Sequence, residues 1–196
     1  MARLYQSLDE AQGSRQAVWI HQDIVEHEAR RQGIDPDLVK AVMYFENVRG
    51  ASYGLAAETA DDVVPDWLQS KPIADSILPM NIQPATWSDL VGGEKNFSDP
   101  LVNIKAGVTV IRRIIERLAK PTVAKVGSIY GFTGYENVSD NGARIAEFYR
   151  TRAWERKPDN LSPRTWRAVQ ARRDALKRKI LDLEKSSADG GATNSP

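Results

Sequence analysis

The residue best placed to do chemistry is Glu46, the carboxylate that ends the apolar run "AVMYFE". On a helix, Leu38, Val39, Val42, Met43 and Glu46 follow one another at spacings of three and four, or side by side, so they share one face. That face is otherwise apolar, and burying it buries Glu46 too. The polar, glycine-containing stretch "NVRGASYG" follows at once, so the spacing predicts a helix ending at Glu46 and opening onto a cleft. Burial disfavours the ionised form and raises a carboxyl pKa. A carboxyl kept protonated near neutral pH is a general acid, able to give a proton to a leaving oxygen. The plain alternative is a residue at the helix end with its carboxylate in solvent or salt-bridged to Arg49.

A second carboxylate would decide which reaction such an acid serves. Inverting hydrolysis of a glycosidic bond needs a base roughly 6.5–9.5 Å from the acid, with a water between them. Glu58, Asp61, Asp62, Asp66 and Asp75 all lie in the acidic, proline-containing stretch after Glu46 and are the candidates. Any single one of them reads more readily as a solvated loop acid. Metal chemistry has little to build on. His21 and His27 are six residues apart, which is not the i, i+4 spacing of a helical ligand pair. The chain has no cysteine, so disulfides, thiolate catalysis and cysteine-ligated metals are excluded. No cofactor and no metal are expected.

The elements that must position these residues read as helices. "SRQAVWIHQDIVEHEARRQ", residues 14–32, has Ser14 as a candidate cap and Gly33 as its stop. "IDPDLVKAVMYFE" starts cleanly, with Asp35 as cap and Pro36 in the first turn. Residues 47–80 are irregular, with short helices expected around 57–70. A short helix is expected near Pro84. "SDPLVNIKAGVTVIRRIIERLAK" repeats the Asp-Pro start, and Leu101, Ile104, Val108, Ile111, Ile114, Ile115 and Leu118 form one stripe. Pro121 opens a further helix to about Tyr130, "GFTGYENVSDNG" is a glycine-rich loop, and "ARIAEFYRTRAW" is another helix. From about residue 155 the texture becomes basic, and a charged helix with Ser162 and Pro163 at its start carries a thin stripe of Trp166, Val169, Leu176, Ile180 and Leu183. The expected organisation is a polar lead-in over 1–13, an all-α domain over 14–154 with at most a minimal β element, a basic helical extension over 155–185 and a disordered tail over 186–196. A domain near 150 residues buries about 70% of its unfolded surface, so one core suffices.

Four segments, in order, carry a family resemblance. They are "YFEN" around Glu46, "LPMNIQPATW" over 78–87, "DPLVNIKAG" over 99–107 and "SIYGFTG" around Tyr130. Across about residues 20–152 the chain resembles the lysozyme-like superfamily, specifically the soluble lytic transglycosylase catalytic domain and its goose-type lysozyme relatives. The resemblance implies a lysozyme-like helical fold with Glu46 as catalytic acid. It implies that Met80 and Asn81 line the substrate cleft and that Tyr130 approaches Glu46, and Tyr53 is a further candidate cleft residue. The chain departs from the family in having Asn47 where a serine is usual, Asn81 where a glutamine is usual and Gly131 where an asparagine is usual. It also has a longer stretch between Glu46 and Met80. These departures bear on substrate preference more than on fold.

The resemblance implies cleavage of the N-acetylmuramic acid to N-acetylglucosamine bond of peptidoglycan, by a muramidase or a lytic transglycosylase. In a transglycosylase the sugar's own hydroxyl closes an anhydro ring, and no second carboxylate is needed. The alternatives are a catalytically impaired scaffold that binds the cell wall or a secretion partner, and a phage lysin. The start "MARLYQSLDEAQGSRQ" has no apolar core of a signal peptide, and no stretch has the length of a membrane span. A protein made in the cytoplasm that acts on peptidoglycan in a target periplasm is then expected to travel as a type VI secretion effector, with a cognate immunity protein covering the Glu46 cleft. The net charge of +1 gives no global attraction to nucleic acid, which is not an expected partner.

Overall fold

The structure, a computed structural model, describes residues 8–52, 79–83, 87, 89–92, 96–131, 137–155 and 163–190. Among these the fold is all-α, with six helices and no strand. They are α1 (Leu8–Arg31), α2 (Pro36–Ser52), α3 (Pro100–Arg117), α4 (Val123–Tyr130), α5 (Asp140–Thr151) and α6 (Pro163–Gly190). Short 3-10 turns occupy Asp89–Val91 and Ala153–Glu155. None of the described helices is long and apolar enough to cross a membrane.

The helix boundaries follow local chemistry where that chemistry is strong. After α1 the Ile34 amide donates to Ala29 O at 2.8 Å and the Gly33 amide to Arg30 O at 3.1 Å, with Gly33 at φ +69°. This paired closure satisfies the last carbonyls and needs a residue free to turn left-handed, which is why a glycine stands there. Asp35 Oδ1 accepts from the Asp37 amide at 2.9 Å, and Pro36 enters the helix directly behind it. Asp99 repeats the device for α3, accepting from the Leu101 amide at 2.9 Å. Thr122 caps α4 and Ser139 caps α5 in the same way.

Several expected boundaries move. Helix α1 begins at Leu8, not Ser14, so the polar lead-in is shorter; Ser14 is buried within the helix rather than at its start. Helix α2 continues past Glu46 through Gly50 to Ser52. A glycine inside a helix costs only about 1 kcal/mol, too little by itself to end one. Helix α5 starts at Asp140 rather than Ala143, because the Ser139 cap precedes it. Helix α6 runs to Gly190, so residues 186–190 are its last turns rather than tail. The short helices expected around 57–70 and the start at Pro84 lie outside the described residues.

Helix α2 is the hub. Its residues Leu38 to Glu46 are buried without interruption, so it is enclosed on all sides rather than on one face. Helix α1 packs along one side, α5 and the Trp154 turn along another, and α3 also touches it. Tyr44 meets Phe148 of α5 edge to face at 4.9 Å between ring centres. Lys40, caught in this burial, is satisfied by Glu26 of α1 at 2.8 Å. The α3 stripe is buried at Ile104, Val108, Ile111, Ile114 and Leu118. The basic helix α6 lies along α1. Val169, Leu176 and Ile180 are buried there, whereas Leu183 stays 55% exposed. Trp19 of α1 stands 5.7 Å from the Trp166 ring and 4.5 Å from the Arg173 guanidinium, which also binds Asp23 at 2.8 Å.

Candidate functional site

Glu46 sits in the body of α2 with 2% of its surface exposed. Burial is the largest influence on it and pushes its pKa up to about 7. Two opposing effects keep the rise from being greater. The Asn81 amide nitrogen donates to Glu46 Oε2 at 2.7 Å, and the positive charge of Arg49 favours the carboxylate. Arg49 acts on the carboxylate through its charge alone, and at 2% exposure Glu46 is neither a solvated carboxylate nor half of a surface ion pair. A carboxyl with a pKa near neutrality can both give and take a proton at the same pH.

The partner comes from a four-residue turn, Pro79 to Ile82, that three helices hold. Asn103 of α3 accepts the Met80 amide at 2.9 Å through Oδ1 and donates to Phe97 O at 3.0 Å through Nδ2. The Tyr130 hydroxyl of α4 donates to Met80 O at 2.7 Å. Asn47 of α2 donates to Pro79 O at 2.9 Å. Between these anchors Asn81 takes φ 54°, a left-handed conformation that asparagine tolerates better than most residues.

The structure thus brings together Glu46, Asn81, Met80 and Tyr130, but not in the roles expected of all four. Asn81 touches the carboxylate. Tyr130 is close enough that the Glu46 charge, after burial, helps hold its hydroxyl pKa well above the ordinary value, yet its hydrogen bond goes to the turn. The Met80 side chain is fully buried against Gly107 of α3, so it is a core side chain and its backbone serves the site. Ile82 is likewise core. Tyr53, Glu58, Asp61, Asp62, Asp66 and Asp75 lie outside the described residues.

Sequence reasoning connects Asn47 with substrate preference and gives Asn103 no role, whereas both hold the turn. The available signal was a polar residue inside an otherwise apolar stripe: Asn103 is fully buried between Leu101 and Ile104 on α3. A groove of about 660 Å³ elsewhere, between α1, α3 and the end of α6, includes His27, Arg31, Lys105 and Leu183 in its lining but none of the Glu46 group. Comparison with known protein families, curated proteins and solved structures finds no match for this chain.

Proposed function

We propose that the chain cleaves the glycan strands of peptidoglycan at the N-acetylmuramic acid to N-acetylglucosamine bond, with Glu46 as general acid. The observation that carries this reading is a carboxyl 2% exposed, with a pKa near 7, held by an amide from a turn that three helices fix. That is the environment a glycosidase acid needs: protonated when substrate binds, ionised after the proton has moved to the leaving oxygen. The order of the Glu46, Met80–Trp87, Asp99–Gly107 and Tyr130 segments supports the lysozyme-like resemblance, and the all-α fold is compatible with it.

In the first step Glu46 gives its proton to the glycosidic oxygen as the bond to the muramic acid carbon breaks. Positive charge develops on that carbon and its ring oxygen. Glu46, now ionised, takes a proton from the group that attacks. If that group is water, the product has a reducing end; if it is the sugar's own C6 hydroxyl, the product is a 1,6-anhydro ring, one water lighter. Muramidase and lytic transglycosylase are therefore separated by product.

The setting proposed is an antibacterial effector delivered by type VI secretion to the periplasm of a target cell. A chain without cysteine needs no disulfide chemistry on arrival, which suits such a route. The producer then needs an immunity protein that covers the Glu46 site. A tight periplasmic partner that protects Glu46 is the expected result of a pull-down from the producer, and its absence counts against the toxin setting alone.

The test of the activity is mass spectrometry of soluble fragments after the purified chain meets peptidoglycan, with Glu46→Gln in parallel. General acid catalysis contributes about 100- to 10,000-fold, so the variant is expected to lose at least that order of activity while keeping its fold. Equal fragment release by the two proteins rejects Glu46 as the acid. No fragments from a folded wild type favours a scaffold that binds the wall without cutting it.

A further inference from the structure

Asn47 follows Glu46 in the chain but is not among the groups acting directly on it. The groups that act on the carboxyl are Asn81 on the turn and Arg49 on α2, and the Glu46 charge in turn acts on Tyr130 of α4. The Asn47 nitrogen Nδ2 instead donates to two carbonyls, Met43 O of its own helix at 2.7 Å and Pro79 O at 2.9 Å. An amide nitrogen carries two hydrogens, so both are committed. The first bond fixes the side chain along α2. The second reaches across 32 positions of sequence and ties down the first residue of the turn.

That bond matters because of what stands two residues later. Asn81 holds a left-handed backbone conformation, which persists only where its surroundings impose it. Asn103 and Tyr130 fix Met80, in the middle of the turn, from α3 and α4. Asn47 fixes the end of the turn nearest Glu46's own helix, so acid and turn share one frame. We infer that Asn47 is a positioning residue: by latching Pro79 to α2, it holds the Asn81 amide on the Glu46 carboxylate.

Two consequences follow. Hydrogen bonding to Oε2 favours the ionised acid, so freeing the turn lets the Glu46 pKa rise. The amide also occupies Oε2, which leaves Oε1 as the oxygen that carries the transferable proton. The catalytic consequence rests on the reading of Glu46 as the acid; the geometric inference does not.

The test is a carbon-13 NMR titration of the Glu46 carboxyl, without substrate, in the wild type, Asn81→Ala, Asn47→Ala and the double variant. Asn81→Ala is expected to raise the Glu46 pKa by about half a unit to one unit. Asn47→Ala is expected to raise it in the same direction without having touched the carboxylate. The double variant is expected to move no further than Asn81→Ala alone, since one residue acts through the other. If Asn47→Ala folds poorly, Asn47→Ser keeps a bond to Met43 O, as helical serines do, and drops the latch. A folded Asn47 variant with the wild-type titration overturns the inference. So does a shift that adds in full to that of Asn81→Ala, or an Asn81→Ala variant whose acid does not move. On peptidoglycan, Asn47→Ala is expected to lower kcat with KM nearly unchanged and to shift the pH profile upward. If the wild type cuts nothing, the proposed activity fails, and the titration still decides the latch.

Discussion

The Asn81 side-chain nitrogen stands 2.7 Å from Glu46 Oε2, joining residues 35 positions apart in the chain. It is a polar bond to an almost fully buried carboxyl, made by a residue whose backbone is held left-handed. The rest of the site exists to keep that contact: α2 carries the acid, and α3, α4 and α2 itself hold the turn that carries the amide. The carboxyl is neither fully neutralised by burial nor stabilised as an ordinary anion, and its pH behaviour follows from that balance.

The contribution of Glu46 to stability should fall as pH rises from about 4.5 to about 7. Its ordinary value is 4.5 and its folded value about 7, so within that window the folded chain holds a proton that the unfolded chain has released. The contribution is fully present below pH 4.5 and lost as pH rises through 7. The total is about 3 kcal/mol if the whole shift is expressed. Glu46→Gln removes this slope and is expected to be more stable than wild type at pH 8. Urea denaturation of both proteins at pH 4.5 and pH 8 measures it, and identical pH dependence would show that burial of Glu46 is not felt.

His21 has the opposite sign. It is fully buried on α1, its Nδ1 bonds Ala17 O at 2.8 Å, and its Nε2 finds no hydrogen-bond partner among the described residues. Burial, followed in opposite senses by the Ala17 bond and the Arg172 charge, pushes its pKa down from 6.5 to about 4. Its contribution is present above pH 6.5 and lost as pH falls through 4, about 3 kcal/mol in full. Between pH 4.5 and 6.5 the two groups oppose each other, and their slopes nearly cancel in the wild type. His21→Leu is expected to unmask the falling slope of Glu46, and Glu46→Gln the rising slope of His21. Denaturation curves at half-unit intervals across that range test the pair, and parallel profiles in all three proteins would reject it.

Gly107→Ala is expected to damage the site from behind. A Cβ there would lie 2.7–2.9 Å from three side-chain atoms of Met80, including its own Cβ. The far end of a methionine can swing away, but its Cβ moves only with the backbone, and that backbone is the turn held by Asn103 and Tyr130. Overpacking of this kind costs about 1–3 kcal/mol. The melting temperature should drop and the Glu46 titration should move with the displaced Asn81. A drop in melting temperature with an unmoved titration would show that the strain relaxes away from the turn.

What could be read from the sequence was what neighbouring residues settle among themselves. Asp35 and Asp99 cap their helices because the acceptor and the amide it satisfies are two positions apart. The α3 stripe was visible because one face of that helix is buried and the helical period shows it. The chemical promise of Glu46 was visible because a carboxylate interrupts an apolar pattern. The same local logic misplaced the start of α1, where Ser14 looked like a cap, and the end of α2, where glycine looked like a stop. In both cases the helix runs on past a local signal worth only about 1 kcal/mol.

Only the tertiary structure decided the rest. That α2 is enclosed on every side depends on α1, α3 and α5 arriving around it, and an all-round apolar helix has no period to announce which face meets which neighbour. That α6 lies on α1 depends on Trp166 and Arg173 meeting Trp19 and Asp23, residues about 150 positions away. The assignments of Asn47 to the latch, Asn103 to the turn and Asn81 to the acid are of the same kind. An amide's donors and acceptors are equally content with water, so composition and spacing do not say which partner it takes. The sequence by itself supplied a buried acid and capped helices. Folding chose the partners, because a hydrogen bond within reach of a buried carboxyl exists only once distant segments have been packed together.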